Sequence, residues 1–79
     1  MEIKDRVIKT FSNVFEVKES DIKTSDTKKS IDKWDSICHL HLIMNLEEEF
    51  DIRLNTEDVI KIDSVEKCIN IINQLINDS

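Results

Sequence analysis

The stretch that decides the fold is Asp35-Ser36-Ile37-Cys38-His39-Leu40-His41-Leu42-Ile43-Met44-Asn45-Leu46-Glu47-Glu48-Glu49-Phe50. On a helical wheel at about 100° per residue, Leu42, Ile43, Leu46 and Phe50 gather within roughly 100° of one another, the stripe of a core-facing helix. Ile37, Leu40 and Met44 gather on nearly the opposite side. A helix in a small domain cannot easily bury both faces, so one stripe is expected to stay at least partly exposed. Either the preceding loop folds over Ile37, Leu40 and Met44, or they form a partner-binding patch, as clustered exposed apolar residues often do. His41, Glu47 and Glu48 flank the stripe and give it a mostly acidic lower rim. Met44 suits a surface that meets more than one partner. Asp35 is placed to cap the helix that begins at Ser36.

Upstream, Ile3, Val7, Ile8, Phe11, Val14 and Phe15 follow the spacing of one buried helix face, which predicts a helix from Glu2 to Phe15. From Glu16 to Trp34 that pattern stops. Ser20, Asp21, Thr24, Ser25, Asp26, Thr27 and Ser30 favour turns. Val17, Ile22 and Ile31 would pin this long loop to the core, and a loop of such length in a small domain usually serves function.

Downstream, Thr56 to about Ile62 fits a short helix capped by Asn55 or Thr56, with Glu57 and Asp58 in its first turn. A last helix is expected from Val65 to Ile76, with Asp63 and Glu66 resembling a capping box. Its buried face would be Val65, Cys68, Ile69, Ile72, Leu75 and Ile76. The chain therefore reads as all-α, a four-helix bundle of three long helices and one short, with a long first loop, forming one domain over residues 1–79.

Composition agrees. There is no glycine and no proline among the 79 residues, whereas tight hairpins need residues at positive φ. A domain this short buries only about 60% of its unfolded surface, which favours a binding or carrier module over a walled active site. The net charge is −6, from 17 acidic and 11 basic residues. That balance repels nucleic acid and anionic membranes and favours partners with basic patches. No apolar run approaches the roughly 18 residues that span a bilayer. Met1 opens into a charged amphipathic segment, so no secretory leader is expected. Two cysteines, Cys38 and Cys68, are too few for a disulfide scaffold, which points to a reducing cytoplasm.

An Asp-Ser pair before a helix is ordinary capping chemistry. It is also a sound site for a phosphodiester, because the first helical N–H groups lack partners and the dipole there favours an anion. Asp35-Ser36-Ile37, then Leu42-Ile43-Met44, then Leu46-Glu47-Glu48-Glu49-Phe50-Asp51-Ile52 resembles the second helix of acyl carrier proteins. The resemblance extends over the chain in length, helix order and long first loop. It implies that Ser36, beside Asp35, carries 4′-phosphopantetheine, installed by a carrier-protein synthase (a phosphopantetheinyl transferase) from coenzyme A. The chain would hold acyl groups as thioesters for acyl-loading and acyl-accepting enzymes with basic docking patches, and would itself catalyse nothing. Ile37, Leu40 and Met44, with Glu47 and Glu48, match the family's recognition helix. A monomer is expected.

Two departures stand out. Where most members have a small residue before Asp-Ser, this chain has Trp34, a candidate to shield cargo or contact a partner and equally a candidate anchor for the loop. Where the family's second helix usually begins with acidic residues, this one has Cys38, His39 and His41, which suggests a dedicated pathway apart from bulk fatty acid synthesis. Cys38 and His41 lie three apart on a helix, but nothing supplies a second pair of ligands, so no metal site is expected. Two other functions remain open: an aminoacyl, D-alanyl or peptidyl carrier, and an unmodified helical interaction module. An enzyme is disfavoured, since there is no Gly-rich phosphate loop and no convincing triad.

Overall fold

A computed structural model describes residues 2–77. Four α-helices follow one another: α1 Ile3–Phe15, α2 Ser36–Phe50, α3 Thr56–Lys61 and α4 Val65–Asn77. The expected boundaries hold to within about one residue. Helix α1 buries Val7, Thr10, Phe11 and Phe15, with Ile3, Ile8 and Val14 packed at the margin. It lies against both α2 and α4. The shared core is built from Phe11, Phe15, Leu42, Leu46, Ile62, Ile72, Val7, Val65 and Cys68. At its edge the Arg6 guanidinium sits 4.3 Å above the Phe50 ring and donates from Nε to the Glu49 carboxylate at 2.8 Å, locking α1 to α2. No helix among the described residues is long and apolar enough to cross a membrane.

Glycine is absent, yet α1 and α2 both end in left-handed residues. Glu16 has φ 56° and Asp51 has φ 52°. Beyond each, a backbone N–H reaches back five residues, Val17 to the Ser12 carbonyl and Ile52 to that of Glu47, satisfying carbonyls the helix leaves unpaired. Helix α3 is capped by Asn55, whose Oδ1 accepts from the Asp58 N–H at 2.8 Å. Helix α4 corrects the expected capping box: the cap is Ser64, whose Oγ accepts from the Lys67 N–H at 3.1 Å. Asp63 instead forms an exposed ion pair with the Lys67 side chain.

The long connection between α1 and α2 holds one 3-10 turn at Glu19–Asp21 and is pinned as expected, with Ile22 buried and Val17 and Ile31 partly so. It is also stitched to the α3–α4 junction. Val65 N–H donates to the Asp26 carbonyl, Glu66 N–H to that of Thr24, and Lys28 N–H to that of Asp63. An isolated antiparallel bridge joins Thr27 to Ser64 at the same place. These bonds hold the loop against the bundle and fix where it delivers the chain to the start of α2.

Candidate functional site

Ser36 is the first residue of α2 and is exposed. The preceding Asp35 is extended, and its Oδ1 accepts from the Cys38 N–H at 2.8 Å, the cap foreseen from the sequence. That hydrogen bond, foremost among several from the first turn, holds the Asp35 carboxyl below its ordinary range. The serine hydroxyl therefore stands at the positive end of a 15-residue helix.

What steadies this end of the helix is Trp34. Open from the sequence to either a partner contact or an anchor for the loop, it is 5% exposed and is a core side chain. The indole packs edge-on to Phe11, with centroids 5.2 Å apart, and tilts against Phe15 at 5.7 Å. Its Nε1–H donates to His39 Nδ1 at 2.8 Å. With Nδ1 accepting, the neutral ring carries its proton on Nε2, which donates to the Val59 carbonyl at 2.8 Å. One imidazole thus links the loop, α2 and α3. Burial, helped by the positive charge of Lys28, pushes the His39 pKa down against the bond to Val59, which keeps the ring neutral. His39 is consequently no part of an outer docking face. It lies on the wheel with Leu42, Ile43 and Leu46, a placement its polar character obscures.

The outward stripe is as expected. Ile37, Leu40 and Met44 are 68%, 57% and 65% exposed, and the loop does not cover them. His41 and Glu48 beside them are exposed as well. Glu47 differs from the free acidic rim residue expected, because its half-buried side chain accepts from the Leu54 N–H at 2.9 Å and braces the turn after α2. Ile60 on α3, unremarked in the sequence, is 70% exposed. The signal was there: Val59 and Ile62 are three apart and turn inward, which leaves Ile60 outside.

Cys38 is partly buried, and burial, followed by its contact with Asp35, raises its pKa. Cys68 is fully buried, its thiol pushed up to about 12 by desolvation. Neither has the electropositive, exposed setting that makes a thiol reactive. Among the described residues no group of three or more His, Cys, Asp and Glu side chains is placed to hold a metal ion.

Beside Ser36 lies an open groove of about 470 Å³ lined by Lys28, Trp34, Asp35, Ser36, His39 and Leu40. The site is thus a serine hydroxyl at a helix start, flanked by a groove and by an exposed apolar stripe. No family model matches the chain. It is 32% identical over 71 residues, 90% of either chain, to a protein named acyl carrier protein from Buchnera aphidicola subsp. Schizaphis graminum.

Proposed function

We propose, from the premise that the chain belongs to the acyl carrier protein family, that Ser36 carries a 4′-phosphopantetheine arm and that α2 presents it to partner enzymes. The chain is a carrier and not an enzyme. The observation that carries the site assignment is an exposed hydroxyl on the first residue of a long helix, next to a stripe of large apolar side chains left uncovered.

The residues fit such an arm. The Ser36 hydroxyl is accessible to a transferase, and the N–H groups of the first turn favour a phosphodiester there. The arm supplies a thiol that holds cargo as a thioester. In modification, the Ser36 oxygen would attack the phosphorus that bears pantetheine in coenzyme A, the P–O bond of the pyrophosphate would break, adenosine 3′,5′-bisphosphate would leave, and the serine proton would be released. Asp35 fixes the helix start, and Trp34 holds the whole segment against Phe11 and Phe15, so the attachment point keeps its position between loading and delivery. Ile37, Leu40 and Met44 provide desolvation energy to a partner, while Glu48 and the overall negative charge guide basic docking patches.

Incubation with coenzyme A and a broad-specificity phosphopantetheinyl transferase, read by intact mass, tests this. One phosphopantetheine adduct is expected on the wild type and none on Ser36→Ala, with the helical spectrum unchanged. A folded apo protein that takes no adduct would leave the stripe as a plain protein-binding surface and remove the carrier assignment.

The face is less acidic at its start than the family's usual one. With His39 turned inward, this rests on Cys38 and His41. We assign the chain to a dedicated acyl pathway in the cytoplasm, the Leu46 to Asp51 run favouring acyl over aminoacyl cargo. His41→Glu is then expected to improve use by a fatty-acid ketosynthase, and an unchanged rate counts against the assignment.

A further inference from the structure

We infer that Lys28 and Lys29 form a basic lip beside the α2 stripe, and that the protein docked there faces this lip with an acidic patch while its basic patch meets the far end of α2. The inference rests on Ile37, Leu40 and Met44 being the docking stripe, and it adds the charge pattern of the surface that covers them.

The charge of the chain is unevenly divided. Residues 1–35 hold eight basic and eight acidic side chains, whereas residues 36–79 hold three basic and nine acidic. The whole net charge of −6 therefore falls from the start of α2 onward. The structure sets the two kinds of charge at opposite ends of the stripe. Glu47 and Glu48 lie on the last turns of α2, beyond Met44. At the first turn, Lys28 lines one groove together with Ser36 and Leu40. A surface that covers Leu40 consequently also faces Lys28.

Lys28 and Lys29 are exposed and make no ion pair among the described residues, unlike Lys33 with Glu16 and Lys67 with Asp63. Together they line a second hollow of about 390 Å³ with Thr27 and Asp63. The carboxylates nearby are already engaged. Asp63 is held by Lys67 at 3.3 Å, and Asp35 accepts from the Cys38 N–H at 2.8 Å. The backbone beneath the lysines is fixed as well. Thr27 N–H donates to Ser30 Oγ at 2.7 Å, Lys29 N–H to Thr27 Oγ1 at 3.2 Å, and Lys28 N–H to the Asp63 carbonyl at 3.1 Å. Cations on a fixed turn lose less freedom on pairing than cations on a loose one.

The stripe decides the class of occupant. A free phosphate cannot cover Ile37, Leu40 and Met44, each more than half exposed. A protein surface removes them from water and brings carboxylates to the lip in the same contact. Opposite signs at the two ends also fix direction, because a partner turned end for end sets like charges together at both. A uniformly basic surface is repelled at the Ser36 end.

Two synthetic helical peptides with the same length and apolar face test this by amide NMR on the full chain, unmodified at Ser36. One carries lysines along its whole polar flank, the other lysines at one end and glutamates at the other. Both are expected to move the Leu40 and Met44 amides. The two-signed peptide should also move Lys28 and Lys29 and bind about three- to tenfold more tightly, as two surface ion pairs of ordinary strength allow. Replacing both lysines, Lys28→Gln with Lys29→Gln, should abolish that preference, and Lys28→Glu with Lys29→Glu should invert it. Equal or tighter binding of the all-lysine peptide to the wild type, or a preference that survives charge reversal, overturns the lip and leaves the docking stripe standing. Stripe amides unmoved by either peptide overturn both. Larger shifts at Lys28 and Lys29 from inorganic phosphate than from the two-signed peptide would make the lip a phosphate site and overturn the acidic partner.

Discussion

Leu42 and Leu46 on one side of α2 are fully buried, while Leu40 and Met44, each two positions from Leu42, are 57% and 65% exposed. The side chains are of nearly the same size and apolarity. What separates them is a half-turn of helix and the presence of α1 on one side only. On the inner face the apolar area is already removed from water and contributes to folding. On the outer face the same kind of area is still in water and is available to contribute to binding. A hydrophobic residue therefore states its role only when its neighbours are known.

Substitutions can break this contrast. The largest effect is expected inside: Leu46→Ala should cost about 2–5 kcal/mol in urea unfolding, a large share of the roughly 4–12 kcal/mol expected for a chain this long. Leu40→Ala, chemically the same change, should stay within about 0.5 kcal/mol. If the two losses were similar, the outer stripe would be part of the core. Next comes Trp34→Phe, which keeps an aromatic ring against Phe11 and Phe15 but leaves His39 Nδ1 without its donor. A loss of about 1–3 kcal/mol is expected, and the His39 imidazole signals should move in the same sample.

The two histidines sharpen the contrast through pH. His39 has a folded pKa below the ordinary 6.5 because it is buried. The unfolded chain therefore takes up a proton first as pH falls, and the folded state loses ground. Stability should decline from about pH 6.5 downward, levelling once pH has passed the lowered folded pKa. Thermal melts between pH 7.5 and 5.5 check this, and His39→Gln should remove that part of the decline. Substituting the outer His41 should leave it in place. The smallest stability effect is expected for Met44→Gln, within about 0.5 kcal/mol, yet it should raise the transferase or partner KM. An unchanged KM would show that the stripe's centre is not used.

Much of this was legible because it is local. Helix α2 could be read from Ser36 to Phe50, since a cap and a spacing of apolar residues are properties of neighbouring positions. Its two stripes came from the same spacing, and so did the expectation that one would remain outside. The Trp34–His39–Val59 connection was not legible. It joins residues on a loop and two helices through hydrogen bonds whose directions a linear pattern does not contain. Trp34 could accordingly be read as a partner contact or as an anchor of the loop, and only the geometry decides for the anchor, while His39 was grouped with Cys38 and His41 on the docking side although it turns inward. Glu47 was misjudged similarly: its carboxylate serves the Leu54 N–H seven residues on. At the start of α4, Asp63 and Ser64 are both good capping residues, and only the geometry decides for Ser64.

The stitches between residues 24–28 and 63–66 have a consequence for the order in which the molecule is made. They connect the first third of the chain to its last quarter, a closure whose entropic cost is met only after the intervening helices have formed. A chain still emerging from the ribosome without its C-terminal helix lacks the hydrogen bonds that hold the loop leading into Trp34 against the α3–α4 junction. The serine is then on the page of the message already translated but not yet at a shaped site. With Ser36 as the proposed attachment point, a modifying enzyme would meet its recognition surface only once synthesis had run nearly to the end. Truncation before Asp63 should accordingly abolish loading of Ser36 by the transferase, and efficient loading of such a fragment would refute that ordering.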